Sequence, residues 1–242
     1  MAEDLAGRTV LAVGGTSGFG LAVATRAASA GARVLLVGRD ATKVDAVRAA
    51  LRATGADVDG RAVDVADPDA LAGLADGLDG VDHLVSTVGG AMGGGFLDAP
   101  YEVIHRTVED KLFLNLRLAR AVAPHVRPGG SLVLTAGTGG RPQGASGAVV
   151  GNEAIATLVR GLAMELAPQV RVNAVAPTWT PTPLWRDVPA ADVERTAADM
   201  AAAIPLGRTA TVEEVAEGYL FLLTHPFVTG HTLPVDGGMH LV

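Results

Sequence analysis

The chain contains no cysteine. That excludes a disulfide framework, a thiol nucleophile and a thiolate metal site. No apolar run reaches the roughly 18 residues that a membrane helix needs. Basic residues are in deficit, with 19 Lys+Arg against 26 Asp+Glu and a formal charge of −7. Nucleic acid and anionic membrane are therefore poor candidates for the main partner, and a small-molecule substrate is expected instead. Aromatic residues are scarce, at 4%. No spacing of His, Asp and Glu suggests a bound metal. No Pro/Ser-rich linker, internal repeat or low-complexity segment divides residues 1–242, so a single domain is expected. The opening residues, Met1-Ala-Glu-Asp-Leu-Ala-Gly7, are acidic and unlike a signal peptide, which makes a cytoplasmic location the expectation.

What is present is apolar and alternating. Apolar residues make up 49% of the chain. Short β-branched runs at 9–13, 33–37, 58–63, 83–86, 132–135, 170–175 and 232–235 read as strands. Ala-rich amphipathic segments at 18–30, 42–53, 68–77, 100–122, 145–166 and 212–223 read as helices. Strands that alternate with helices at this spacing predict an α/β fold, a doubly wound parallel sheet of about seven strands flanked by helices. Val34-Leu-Leu-Val37 is apolar throughout, as a strand covered on both faces should be. Asp67-Pro68 and Thr211-Val-Glu-Glu214 mark helix starts, the second as a capping box.

The first strand runs into Gly14-Gly15-Thr16-Ser17-Gly18-Phe19-Gly20 and then a helix. Glycines let the backbone turn sharply and approach a pyrophosphate, which the free amides of the helix start can hold. The spacing is the wider G-x-x-x-G-x-G, since Val23 stands where the general dinucleotide motif ends on a small residue. Placed between first strand and first helix, the turn reads as a nucleotide site rather than an ordinary glycine-rich turn.

These residues resemble the short-chain dehydrogenase/reductase family, and the likeness covers nearly all of the chain. The turn is similar to the family's TGxxxGxG, with Val13 in the Thr place. Asp64-Val65 resembles the family's Asp after the third strand, and Ser86-Thr-Val-Gly89 its Asn-Asn-Ala-Gly, with only Gly89 retained. Arg171-Val-Asn-Ala-Val-Ala-Pro177, Pro205-Leu-Gly-Arg208, Glu213-Glu-Val-Ala216 and Val235-Asp-Gly-Gly238 resemble its later motifs. The resemblance implies a Rossmann domain that binds a nicotinamide nucleotide. It assigns Gly14, Thr16, Ser17, Gly18, Phe19 and Gly20 to the phosphates, Asp64 and Val65 to the adenine, and Gly89, Pro177 and Thr182 to the rest of the cofactor. A homodimer or homotetramer is implied as well. Strand two ends Val37-Gly38-Arg39-Asp40. Gly38 offers no carboxylate for the ribose hydroxyls of NAD, whereas Arg39 can fork onto a 2′-phosphate, so NADP(H) is favoured and NAD(H) remains possible. Against this stands the reading of Arg39 as a solvated surface residue.

The catalytic positions depart from the family pattern. The family's Tyr-x-x-x-Lys falls on Ala148-Val149-Val150-Gly151-Asn152. Its Ser aligns with Gly137, flanked by Thr135 and Thr138, and its Asn on the preceding long helix with Lys111. Lys and Asn have thus exchanged places. Because those positions lie close together in the family, a Lys111 ammonium paired with the Asn152 amide is expected near the ribose. The alternative is an ordinary lysine of helix 100–122. No phenol replaces the missing tyrosine. Thr135, Thr138 and Ser146 are the candidate hydroxyls, although their pKa values lie far from neutral. His105 and His83 read as structural. Trp179 and Trp185, in a substrate loop near 177–205, suggest an apolar wall or lid, or simply packing of the loop. Three functions follow: an atypical NADP(H)-dependent oxidoreductase of a small carbonyl/alcohol or polarised C=C, a catalytically silent NADP(H)-binding regulator, or a non-redox lyase or isomerase.

Overall fold

A computed structural model describes residues 5–242. The opening residues Met1–Asp4 lie outside it. One seven-stranded sheet runs in the order β3-β2-β1-β4-β5-β6-β7. Its strands are β1 (Thr9–Val13), β2 (Arg33–Gly38), β3 (Val58–Ala62), β4 (Val81–Ser86), β5 (Val126–Thr135), β6 (Arg171–Pro177) and β7 (Thr232–Val235). Every neighbouring pair is parallel. The helices are α1 (Gly18–Ser29), α2 (Ala41–Arg52), α3 (Pro68–Asp76), α4 (Tyr101–Val108), α5 (Leu114–Val122), α6 (Ser146–Leu166), α7 (Ala190–Ala203) and α8 (Val212–Thr224).

Strand periodicity sorts the core into two layers. Leu11, Val13, Leu35 and Val37 pack with Leu71 of α3, Leu118 of α5 and Ile155 of α6. Val10, Ala12, Val34 and Leu36 face the other way, onto Val23 and Ala27 of α1 and Tyr219 of α8. With apolar cover on both faces, the central strands need no polar side, which explains their continuous hydrophobic runs. The helix starts follow their signals. Asp67 accepts from the amides of Asp69 and Ala70, and Thr211 and Glu214 form a capping box at α8.

Two elements differ from the sequence expectation. The helix predicted over 100–122 is broken by a π-helical turn at Glu109–Phe113. Asn115 explains it: its Nδ2 donates to Lys111 O at 2.7 Å, drawing that carbonyl toward a side chain and widening the backbone ladder. Within the loop predicted near 177–205 lies α7, which buries none of its residues.

Between β1 and β4 the chain reverses its direction of travel across the sheet. In open α/β folds ligands bind at the carboxyl ends of the strands at such a point. Thr87 closes it here, its amide donating to Val13 O at 3.0 Å.

Candidate active site

The glycine turn sits in this crevice. Gly14 has φ +83°, and a Cβ there would lie 2.4 Å from Thr87 Oγ1. A Cβ on Gly20 would fall 2.3 Å from Gly14 O. Both positions admit only glycine, and the backbone surface they clear is the cradle a pyrophosphate requires. Ser17 is the N-cap of α1, yet its hydroxyl makes no capping bond, and the first turn carries no acidic residue. The dipole end of α1 is thus unneutralised and open to an anion. Phe19 packs on the α1–α8 core and steadies the start of the helix. Thr16 stands against Gly38, where a Cβ would come within 2.9 Å of Thr16 Cγ2. A side chain at 38 would press on Thr16, and Gly38 itself offers no carboxylate.

Arg39 follows directly, exposed and without a hydrogen bond or ion pair of its own. Burial pushes the nearby Asp110 carboxyl up, opposed by Arg106, reinforced by Glu109, and influenced in turn by Arg39 and Asp64. Arg39 and Asp64 are thus near enough to Asp110 for their charges to act on it. Asp64 turns its carboxylate onto the amide of Ala66, and Val65 is buried beneath. Across the crevice, Thr182 lies over the glycine turn: a Cβ on Gly18 would meet its Cβ at 3.7 Å. Pro177 ends β6, its carbonyl accepting from the Thr138 amide.

Lys111 and Asn152 meet. Lys111 Nζ donates to Asn152 Oδ1 at 2.9 Å, from the π turn to the second turn of α6. Two glycines, Gly151 and Gly137, make the approach possible. A Cβ on Gly151 would lie 2.7 Å from Lys111 Cδ and 2.8 Å from its Cβ. A Cβ on Gly89 would lie 3.4 Å from Lys111 Cγ, which ties the end of β4 to the lysine stem. A Cβ on Gly137 would lie 2.8 Å from Asn152 Nδ2. The Asn152 amide therefore spans from the ammonium to the place where the resemblance puts a serine. Burial, unrelieved by any carboxylate, pulls the Lys111 pKa down to about 8. Ala148, one turn before Asn152, presents only a methyl.

Thr135 requires a correction. Its hydroxyl donates to Ser86 O at 2.7 Å and lies 2.6 Å from the Tyr219 hydroxyl. Tyr219 belongs to the α8 layer, so Thr135 points to the face opposite α6 and Lys111. Strand alternation is the reason: Leu134 and Ala136 face α6, and Thr135 between them cannot. Thr138 is nearer. Its buried hydroxyl makes no hydrogen bond of good geometry, but it helps hold the Asp236 carboxyl below the usual range despite burial. Ser146 donates to Gly94 O. His83 is buried on Ser131 Oγ at 2.9 Å, and burial lowers its pKa to about 4, so it stays neutral. His105 packs at a tilt against the exposed Tyr101. Trp179 and Trp185 stack on each other at 5.7 Å, and Trp185 Nε1 donates to Thr180 O. Trp185, Thr182 and Pro183 wall an open cleft of about 460 Å³ that continues along α7. Neither Lys111 nor Asn152 lines it.

Sequence reasoning missed Thr87 and Asn115. Asn115 is fully buried and accepts from Ser86 Oγ at 2.6 Å while holding Lys111 O. Its place four residues after Lys111 on one helix was the available signal. Among the described residues no helix is long and apolar enough to cross a membrane, and no cluster of three or more His, Asp or Glu is placed to hold a metal.

A Rossmann domain with a glycine cradle at the β1/β4 switch point defines a nucleotide-binding α/β protein. A family model described as enoyl-(acyl carrier protein) reductase matches residues 13–240. An uncharacterised oxidoreductase of Mycobacterium tuberculosis is 34% identical over 96% of this chain and 92% of its own length. L-xylulose reductase of Bos taurus is 33% identical over 97% of each chain. A solved structure described as a short chain dehydrogenase/reductase family protein superposes with a TM-score of 0.86 at 33% identity, covering 99% of this chain and 100% of its own. The chain belongs to the short-chain dehydrogenase/reductase family, whose members bind a nicotinamide nucleotide and act as oxidoreductases on small molecules.

Proposed function

We propose that this protein is an NADP(H)-dependent oxidoreductase acting on a small carbonyl/alcohol or polarised C=C substrate, with a proton donor other than tyrosine. The observation that carries the reading is the 2.9 Å bond between Lys111 Nζ and Asn152 Oδ1. A chain that had merely lost its catalytic residues has no reason to keep an ammonium in an apolar setting, where burial costs free energy. Gly151 and Gly137, where any side chain would press on the pair, support the same view.

When bound, the nicotinamide nucleotide supplies or accepts the hydride. The chain's own residues do the rest. Thr16, Ser17 and the amides of Gly18, Phe19 and Gly20 hold the pyrophosphate, with Gly14 opening the turn. Arg39 takes the 2′-phosphate, Asp64 and Val65 border the adenine, and Gly89, Pro177 and Thr182 border the nicotinamide half. Lys111 holds the ribose hydroxyls. Asn152 Nδ2 stands where it can donate to a substrate oxygen, beside Gly137. Tyr101 and Val103 of α4, Phe113 of the π turn and Val150 of α6 are exposed apolar residues, which supports a homodimer or homotetramer. The methyl at Ala148 favours a second reading, a silent NADP(H)-binding regulator.

Cofactor titration with NADPH and NADH, followed by consumption of NADPH over a panel of ketones, aldehydes and enones, tests the proposal. NADPH binding with turnover supports the enzyme, NADPH binding without turnover supports the regulator, and preference for NADH overturns the role given to Arg39.

A further inference from the structure

Resting on that reading, we propose that Lys111 itself is the general acid and base, its ammonium handing a proton to the substrate oxygen through the space beside Ala148. In reduction, the carbonyl carbon gains hydride from the nicotinamide, the π electron pair moves to oxygen, and that oxygen takes a proton from Lys111 Nζ. The amine left behind recovers its proton from water. Oxidation runs the same transfer backwards.

Elimination and geometry both lead to this nitrogen. The chain has two tyrosines. Tyr101 is 72% exposed on α4, and Tyr219 is buried on the opposite face of the sheet against Thr135. The Ser146 hydroxyl is committed to Gly94 O, and the Thr138 hydroxyl, an alcohol with no hydrogen-bond partner, has no base bonded to it to activate it as a proton carrier. His83, locked on Ser131, and His240, paired with Asp236, belong to other sites. Lys111 Nζ uses one of its three N–H groups, on Asn152 Oδ1. The other two remain for a ribose hydroxyl and a substrate oxygen. Gly151 lets the Lys111 stem cross α6 at close range, and Ala148, one turn before Asn152 on the same helix, presents only a methyl.

The surroundings suit proton exchange near neutrality. Gly151 and Asn152 face Lys111 from α6, Gly89 from the end of β4 and Asn115 from α5, and all are uncharged. On its own turn, Glu109 is engaged by Arg117 and Asp110 couples to the Arg39 end. No carboxylate therefore anchors the charge, and burial alone brings the lysine to about 8. An acid in that range is well matched to a carbonyl reduction at physiological pH, and general acid catalysis contributes about 10²–10⁴-fold.

The chain has only two lysines, Lys43 and Lys111. ¹³C-dimethylation followed by NMR titration of the cofactor-free protein thus reads Lys111 directly. Lys111→Arg identifies the signal and keeps the charge while removing an exchangeable proton near neutral pH. The expected result is a titration close to 8 and a reduction kcat that falls above the same pH, with oxidation rising there. Lys111→Arg and Lys111→Met should each lose at least about 100-fold in kcat while still binding NADPH. Thermal shift with NADPH shows whether each variant is folded. A Lys111 signal titrating near 10.5, or a variant that keeps kcat within twofold of wild type, overturns the assignment while leaving the oxidoreductase reading in place. Wild type that binds NADPH but reduces no carbonyl overturns that reading, and this assignment with it.

Discussion

Replacing Lys111 with methionine should change how stability depends on pH. Lysine ordinarily titrates near 10.5, and burial brings Lys111 to about 8 in the folded chain. Below pH 8 both folded and unfolded states carry the proton, and the dependence is flat. Between 8 and 10.5 the unfolded state holds a proton that the folded state has released, so stability rises with pH. The gap is worth at most about 3 kcal/mol, since each pKa unit corresponds to about 1.36 kcal/mol and the stem is partly exposed. Lys111→Met removes this dependence. It also strips Asn152 Oδ1 of its donor, a cost of about 1–3 kcal/mol that does not vary with pH. The readout is therefore the slope of the difference. Urea unfolding followed by tryptophan fluorescence, from pH 7 to 10.5, should show wild type gaining on the variant by up to about 3 kcal/mol. Parallel curves would refute the argument that a buried ammonium with no carboxylate partner lies at this position.

Arg39→Ala should weaken NADPH by about 10–100-fold, the worth of a charge-assisted phosphate contact, and leave NADH nearly unchanged in equilibrium titrations. Gly151→Ala places a methyl 2.7–2.8 Å from the Lys111 stem and should cost about 1–3 kcal/mol while displacing Nζ, visible as a lower kcat with NADPH affinity retained. Gly20→Ala, 2.3 Å from Gly14 O, should abolish nucleotide binding by the folded protein in a thermal-shift assay. His83, lowered from 6.5 to about 4 by burial, makes the fold lose stability as pH falls from 6.5 toward 4. His83→Gln should flatten that acid limb in denaturant titrations, and an unchanged limb would mean that other groups set it.

The sheet was legible because its strands are apolar on both faces and separated by helices of ordinary length. The nucleotide turn was legible because Gly14, Gly18 and Gly20 occur between a strand and a helix. The Lys111–Asn152 contact followed from an exchange of two residue types between two positions. What stayed hidden depends on single side chains or single-residue parity. The π turn arises from Asn115 taking the Lys111 carbonyl, and no hydrophobic period records that bond. Thr135 fell on the wrong face because its neighbours on the strand, not its hydroxyl, decide which side it takes. The helix α7 is Ala-rich with no buried residue, so it lacks the apolar stripe that would have marked it. Gly151 reads as an unremarkable small residue, and Gly137 only as a missing serine, until the atoms they leave room for are located.

A crystal structure of the NADPH complex addresses the central claim most directly. Lys111 Nζ should lie within about 3 Å of a nicotinamide-ribose hydroxyl while keeping its bond to Asn152 Oδ1. A lysine turned away from the ribose, with the hydroxyls held by other groups, would contradict the account.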